Sequence, residues 1–175
     1  HQEILLQIPH TKTRIVKTAK DLDCIDGLIL PGGESTAIGK LLDYFSLKEI
    51  LRQKIISGLP VFGTCAGLIL LAKNIENQTN THLATMDITV KRNGYGSQLD
   101  SFSTNLLIPT IDKNMPIPLV FIRAPYITKT DKDVQILATL DNKIIAARQK
   151  NMLVTAFHPE LTNDLRFHQY FLSMI

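Results

Sequence analysis

An α/β fold with a central sheet, mostly parallel or mixed, follows from three observations. Short apolar runs bounded by Gly or Pro, GLILP (27–31) and PVFG (60–63), are too short for helices and read as buried strands. Between them, Ser35 to Ile56 carries Ile38, Leu41, Leu42, Phe45, Ile50, Leu51 and Ile55 at roughly helical spacing, which completes a strand–helix–strand unit. Such a unit implies parallel strands with a crossover helix, and it gathers ligands at the carboxyl ends of the strands. The second half then supplies a series of further strand candidates, so the sheet is expected to become mixed there.

Taken in order, RIVKT (14–18) is the first strand candidate, followed by GLILP, the helical stretch and PVFG. GTCAG (63–67) then leads into GLILLAKN, whose apolar spacing is helical. A polar connector, NIENQTNTH (74–82), separates the halves. MDITVKRN, LVFIRAP, VQILATL, KIIAARQ and MLVTAF are the later strands, with an irregular stretch between 103 and 118 that holds Pro109, Pro116 and Pro118. Asn163 or Asp164 is suited to cap a last helix, Leu165 to Ile175, docked by Leu165, Tyr170, Phe171 and Leu172. No repeat and no second domain is visible, so residues 1–175 form a single domain.

Composition narrows the function. The 175 residues are 45% hydrophobic, enough for a substantial core. Lys and Arg number 19 against 16 Asp and Glu, scattered rather than gathered into a basic stripe, which argues against nucleic acid. The longest apolar run, Leu68 to Ala72, is far below the roughly 18 residues of a membrane span, and no signal-peptide pattern opens the chain. A cytoplasmic protein with no membrane partner is expected. Two cysteines, Cys24 and Cys65, give no disulfide framework and fit free thiols in a reducing compartment.

Three loops carry chemistry. GTCAG is the thiol form of the G-x-S-x-G nucleophile elbow. A turn tight enough to project one side chain between a strand and a helix leaves no room for Cβ atoms on either side, so glycines flank Cys65. Unpaired N–H groups at the start of the helix favour the thiolate. Cys24, in DLDCIDG, has none of these features and reads as structural. Among five histidines His158 stands out, at the end of MLVTAF in the segment TAFHPEL. Pro159 holds it extended, and residues two apart in an extended chain point the same way, so Glu160 reaches the imidazole and orients it. His1, His10, His82 and His168 sit in polar or terminal stretches or on the last helix and are assigned solvated or packing roles. The third loop, LPGGEST (30–36), presents backbone N–H groups through two glycines, so Gly33 and Ala66 are the expected oxyanion donors. GESTAIGK fails as a phosphate loop because five residues separate its glycines and Leu41 follows Lys40.

With PGGEST, FGTCAGLILLAK, RNGYGSQLDSF, FIRAPYI and FHPELTND together, the sequence resembles the class I glutamine amidotransferases, and among them the glutaminase subunits of pyridoxal 5′-phosphate synthase. The resemblance covers nearly the whole chain. It implies a three-layer fold with helices on both faces of the sheet, and a catalytic triad of Cys65, His158 and Glu160. It further implies that L-glutamine is held by Gly32, Gly33, Glu34, Arg92, Ile122 and Arg123. A zwitterionic substrate suits this set, with Arg92 and Arg123 for its carboxylate and Glu34 for its ammonium. The implied partner is a TIM-barrel synthase subunit in a large hetero-oligomer, which receives the ammonia and combines it with pentose and triose phosphates. No metal and no cofactor is expected. Members of the family usually begin with a short strand and a Leu-Gln-Gly turn that HQEILLQIPH does not supply, so the domain is expected to lack its first strand in this numbering, with His1 just after the turn. The competing readings are the glutaminase of another amidotransferase, such as that of histidine biosynthesis, and a catalytically silent interaction subunit. The RNGYGSQLDSF and FIRAPYI segments oppose the first, and the complete triad opposes the second.

Overall fold

The computed structural model describes residues 1–94 and 101–175. Its strands are β1 (Leu28–Leu30), β2 (Val61–Thr64), β3 (Ala72–Ile75), β4 (Met86–Lys91), β5 (Ser101–Leu106), β6 (Ile117–Ile122), β7 (Tyr126–Thr130), β8 (Gln135–Leu140), β9 (Lys143–Gln149) and β10 (Met152–Thr155). The helices are α1 (Gln2–Leu5), α2 (Ser35–Tyr44), α3 (Lys48–Ile56), α4 (Ala66–Leu71) and α5 (Arg166–Leu172). An eight-stranded sheet runs β1-β2-β10-β9-β7-β4-β3, with β8 paired to β9, and β5-β6 form a separate ribbon. The β1/β2, β2/β10 and β3/β4 pairs are parallel, while β10/β9, β7/β9, β8/β9 and β4/β7 are antiparallel. The sheet is therefore mixed, with its parallel pairs at the two ends of the order.

Every residue of β2 and of β10 is buried, as expected for strands covered on both faces. The two faces can be told apart along β2. A Cβ built on Gly63 would meet the Gly67 backbone of α4 at 2.7 Å. Phe62, one residue earlier and so pointing the other way, packs on Phe171 of α5 at 5.7 Å between ring centroids. Helices thus cover opposite faces. A run of aromatic contacts, Phe102 on Phe121, Phe121 on Phe157 and Phe157 on Phe167, ties the ribbon to the sheet and to α5. Among the described residues, no helix is long and apolar enough to cross a membrane.

Several sequence expectations are corrected. The stretch Ser35 to Ile56 is two helices rather than one, because Ser46 adopts φ 54 between them. Leu41, Phe45 and Ile50, three of the apolar residues at helical spacing, are exposed. RIVKT is irregular: it lies across a cavity of about 1060 Å³ from β1 and pairs with no strand among the described residues. The helix after Cys65 ends at Leu71 and gives way to β3, whose exposed Lys73 and Asn74 hid it inside an apparent helix and connector. Parts of the irregular stretch 103–118 belong to β5 and β6, and β6 ends at Ile122 because Arg123 turns to φ 44. The last helix spans only Arg166–Leu172 and docks through Phe167, His168 and Phe171. Leu165 occupies its cap position, although the Asp164 carboxylate does accept from the Arg166 backbone N–H at 2.9 Å.

Candidate active site

Cys65 stands between β2 and α4 with φ 50 and ψ −100, a conformation that L-residues avoid and that marks stored strain. Glycines make it feasible in two ways. Gly63 and Gly67 lie against one another, and a Cβ on Gly67 would come within 2.1 Å of the Leu30 carbonyl oxygen at the end of β1. The elbow is also pinned to the neighbouring strand, since the Cys65 backbone N–H donates to the Thr155 carbonyl of β10 at 2.8 Å. Cys65 is a free thiol, and it is buried; Cys24 is free and exposed.

His158 follows β10 by three residues and is nearly buried, its backbone N–H donating to the Val120 carbonyl of β6 at 2.8 Å. Its Nδ1 lies 2.8 Å from Glu160 Oε1. The route to that contact differs from the expected extended segment: Pro159–Leu161 form a 3-10 turn, and the turn brings Glu160 to the Nδ1 edge of the ring. Among the described residues Nε2 of His158 is buried and is bonded to no nitrogen or oxygen atom, so it is available for the proton of a reacting group, with the Cys65 sulfur close enough to bear on its protonation. Burial disfavours the imidazolium, but the interactions with Cys65 and with Glu160 outweigh it and raise the His158 pKa to about 9. At neutral pH the ring is protonated.

The glycine loop closes on this pair. A Cβ on Gly32 would meet His158 Cε1 at 2.5 Å, so Gly32 packs directly on the imidazole, and Gly33 beside it has φ 140, open to glycine alone. Ala66, the other expected oxyanion donor, is the first residue of α4 and is buried. The ends of β1, β2, β6 and β10 therefore converge, as the strand-end rule predicts.

A model of the SNO glutamine amidotransferase family matches residues 1–175. The chain belongs to this family. It is 54% identical over its whole length to pyridoxal 5′-phosphate synthase subunit PdxT of Carboxydothermus hydrogenoformans, covering 91% of that protein. It is 55% identical over 173 residues to the subunit of the same name from Clostridium botulinum, 99% of this chain and 89% of that one. A crystal structure of a glutamine amidotransferase superposes with a TM-score of 0.92 at 37% identity, covering 99% of this chain and 91% of the other. A putative GMP synthase component from Thermoplasma acidophilum, at TM-score 0.68 and 17% identity over 99% and 85% of the two chains, shares the fold.

The remaining residues expected of the family site fall into two groups. Glu34 caps α2, accepting from the Thr36 and Ala37 backbone N–H groups at 3.0 and 2.6 Å, and it also accepts from Arg92 Nη2 at 2.8 Å. The Thr36 N–H, joined by Ala37 and Arg92, holds its carboxyl below the ordinary range. Arg92 Nη1 donates further to Thr36 Oγ1 at 3.2 Å, so the two expected substrate ligands are paired with each other at the mouth of the glycine loop. Ile122 is half-buried at the end of β6, two residues from the carbonyl that holds His158, and Arg123 is exposed just beyond. Residues 95–100 of the RNGYGSQLDSF segment lie outside the described residues.

His1, assigned a solvated or packing role, lies beside Glu160, and the buried His168 packs behind it. His1 Nε2 lies 3.3 Å from Glu160 Oε2, and its Nδ1 lies 2.9 Å from Nε2 of the fully buried His168. No local pattern in HQEILLQIPH announces this. The signal was the expectation, drawn from the family resemblance, that His1 follows a turn near the active site.

Proposed function

We propose that this protein is the glutaminase subunit of a pyridoxal 5′-phosphate synthase, hydrolysing L-glutamine to L-glutamate and ammonia through Cys65, His158 and Glu160. The observation that carries the reading is the strained Cys65 elbow beside an imidazole held at 2.8 Å by a carboxylate. The Cys65 thiolate attacks the side-chain carboxamide carbon of glutamine, and the developing oxyanion is met by the backbone N–H groups of Gly33 and Ala66. His158, protonated at Nε2, gives that proton to the leaving nitrogen, so the C–N bond breaks and ammonia departs from a γ-glutamyl thioester. Neutral His158 then takes a proton from water as its oxygen attacks the thioester, releasing glutamate and restoring the thiolate. Glu160 stays ionised throughout and stabilises the imidazolium.

Substrate recognition rests on charge. The amino-acid carboxylate is complementary to Arg92 and Arg123 and the ammonium to Glu34, so a zwitterion replaces the Glu34–Arg92 pairing with one bond to each. Gly32 and Gly33 offer backbone groups and Ile122 an apolar wall. The ammonia passes to a TIM-barrel synthase subunit, the protein acts in the cytoplasm, and residues 1–175 work as one domain. Glutamate release measured with and without a synthase subunit tests the reading: turnover stimulated by the synthase and absent in Cys65→Ala supports it, and turnover that survives Cys65→Ala overturns it.

A further inference from the structure

Glu160 uses one carboxylate oxygen on His158, and the other has a neighbour of its own. Oε2 lies 3.3 Å from His1 Nε2, an ion-pair distance without hydrogen-bond geometry, and has no other partner among the described residues; the two side chains are only 16% and 11% exposed. Both nitrogens of the His1 ring are engaged. Nε2 is also 3.1 Å from Oγ1 of Thr64, the residue before the nucleophile, and Nδ1 is 2.9 Å from His168 Nε2. The ring stands edge-on to Phe62, and the His1 backbone carbonyl accepts from Leu5 N–H at the start of α1. From this geometry, and resting on the glutaminase reading above, we propose that His1 is a positioning residue of the reaction, presenting its Nε2 proton to the unpartnered Glu160 Oε2 in a tautomer set by His168.

The direction of each hydrogen bond follows from counting protons. His168 is fully buried, and burial pushes its pKa down to about 4, so at neutral pH it carries one ring proton. Among the described residues its Nδ1 has no partner. A buried N–H without an acceptor is the rarer defect, so the proton sits on Nε2 and is donated to His1 Nδ1. That leaves the proton of neutral His1 on Nε2, facing Glu160 Oε2 and the Thr64 hydroxyl. The opposite tautomer would set a nitrogen lone pair against the carboxylate at 3.3 Å, a repulsive contact. Glu160 Oε2, buried and otherwise without a partner among the described residues, thus faces the Nε2 proton of His1, which lies between it and the Thr64 hydroxyl. The plane of the Glu160 carboxylate is fixed with Oε1 at His158 Nδ1, and its negative charge is divided between two partners while His158 gains and loses its proton.

The test uses glutamate release by the complex with the synthase subunit, for wild type, His1→Leu and His1→Gln. Wild-type turnover that disappears in Cys65→Ala establishes the glutaminase reading first; a failure at that step counts against that reading, not against the role of His1. His1→Leu fills the space without a donor. Its kcat should fall about tenfold to a hundredfold, as for other partners that orient an active-site ligand, with KM unchanged because His1 touches no substrate. The undivided charge on Glu160 should also hold the His158 proton more tightly and move the alkaline limb of the rate profile upward. The charged or titratable groups that bear on that limb are Cys65 and Glu160 at His158, and Glu160 and His168 at His1. His1→Gln keeps an N–H near the position of Nε2 and should restore most of kcat and the wild-type limb. If His1→Leu does not fold, His1→Asn, polar but too short to reach Glu160, takes its place with the same expectation. Variants that all match wild type in kcat and profile would overturn the proposal. So would Leu and Gln variants equally impaired with no movement of the limb, since ring shape rather than a donor would then be what matters.

Discussion

Gly32→Ala places one methyl group against the imidazole of His158, the proposed general acid and base, without touching any proposed reacting atom. The new Cβ would lie 2.5 Å from His158 Cε1, whereas ordinary contact begins at 3.4 Å, so the ring must retreat by about 1 Å. His158 has little freedom to do so. Its backbone is tied to Val120, and Nδ1 is held by Glu160, so the displacement is taken from the alignment of Nε2 with Cys65. A misplacement of about 1 Å in a catalytic group costs on the order of a hundredfold in rate, which corresponds to about 2.7 kcal/mol of barrier. The assay is glutamate release under saturating glutamine in the presence of the synthase subunit, with the pKa of His158 followed by NMR. We expect kcat to fall about a hundredfold and the His158 pKa to drop below its wild-type value of about 9 as the Glu160 contact lengthens. A wild-type kcat, or a change confined to KM, would refute the reasoning and make Gly32 a substrate contact only.

Glu160→Gln should reduce kcat far more than it changes KM and should move the alkaline limb to lower pH, because a group that raises the His158 pKa is removed; profiles over pH 6 to 10 check this. Gly33→Val should lower the rate of the complex by on the order of a hundredfold, about 3 kcal/mol, without weakening binding to the synthase, because φ 140 is closed to β-branched residues and the proposed oxyanion donor is turned away; turnover and co-elution are read together. Stability has two histidine contributions of opposite sign. The raised pKa of His158 contributes stability that is complete below about 6.5 and lost as pH rises through about 9, whereas the depressed pKa of His168 contributes stability that is complete above about 6.5 and lost as pH falls through about 4. Thermal unfolding against pH should therefore show His158→Asn flattening the alkaline side and His168→Asn the acid side.

The parts of the site that could be read from sequence are those made by local chemistry. Gly63 and Gly67 announce the elbow because only glycine permits their approach to each other and to Leu30, and His158 and Glu160 are close in sequence, although a 3-10 turn rather than the expected extended segment brings them together. The fold was legible where strands are continuous apolar runs, as in β2 and β10. It was hidden where a strand is short and half polar, as in β3 and in β7, YITKT. The break at Ser46 was hidden too, since serine carries little signal for a positive φ. His1 and His168 lie 167 residues apart in sequence, and their meeting behind Glu160 is set by how α1 and α5 dock on one face of the sheet, which residue types alone do not disclose.

The central claim is that Cys65 is the nucleophile of a glutaminase, and a glutamine-analogue affinity label tests it most directly because the protein has one other cysteine as an internal control. Cys24 is exposed, so a reagent that responds to accessibility alone would modify it. Mass spectrometry of the labelled complex should locate the adduct on Cys65, with glutamate release lost in proportion and with glutamine protecting the site. An adduct on Cys24, or full activity after Cys65 is modified, would contradict the account.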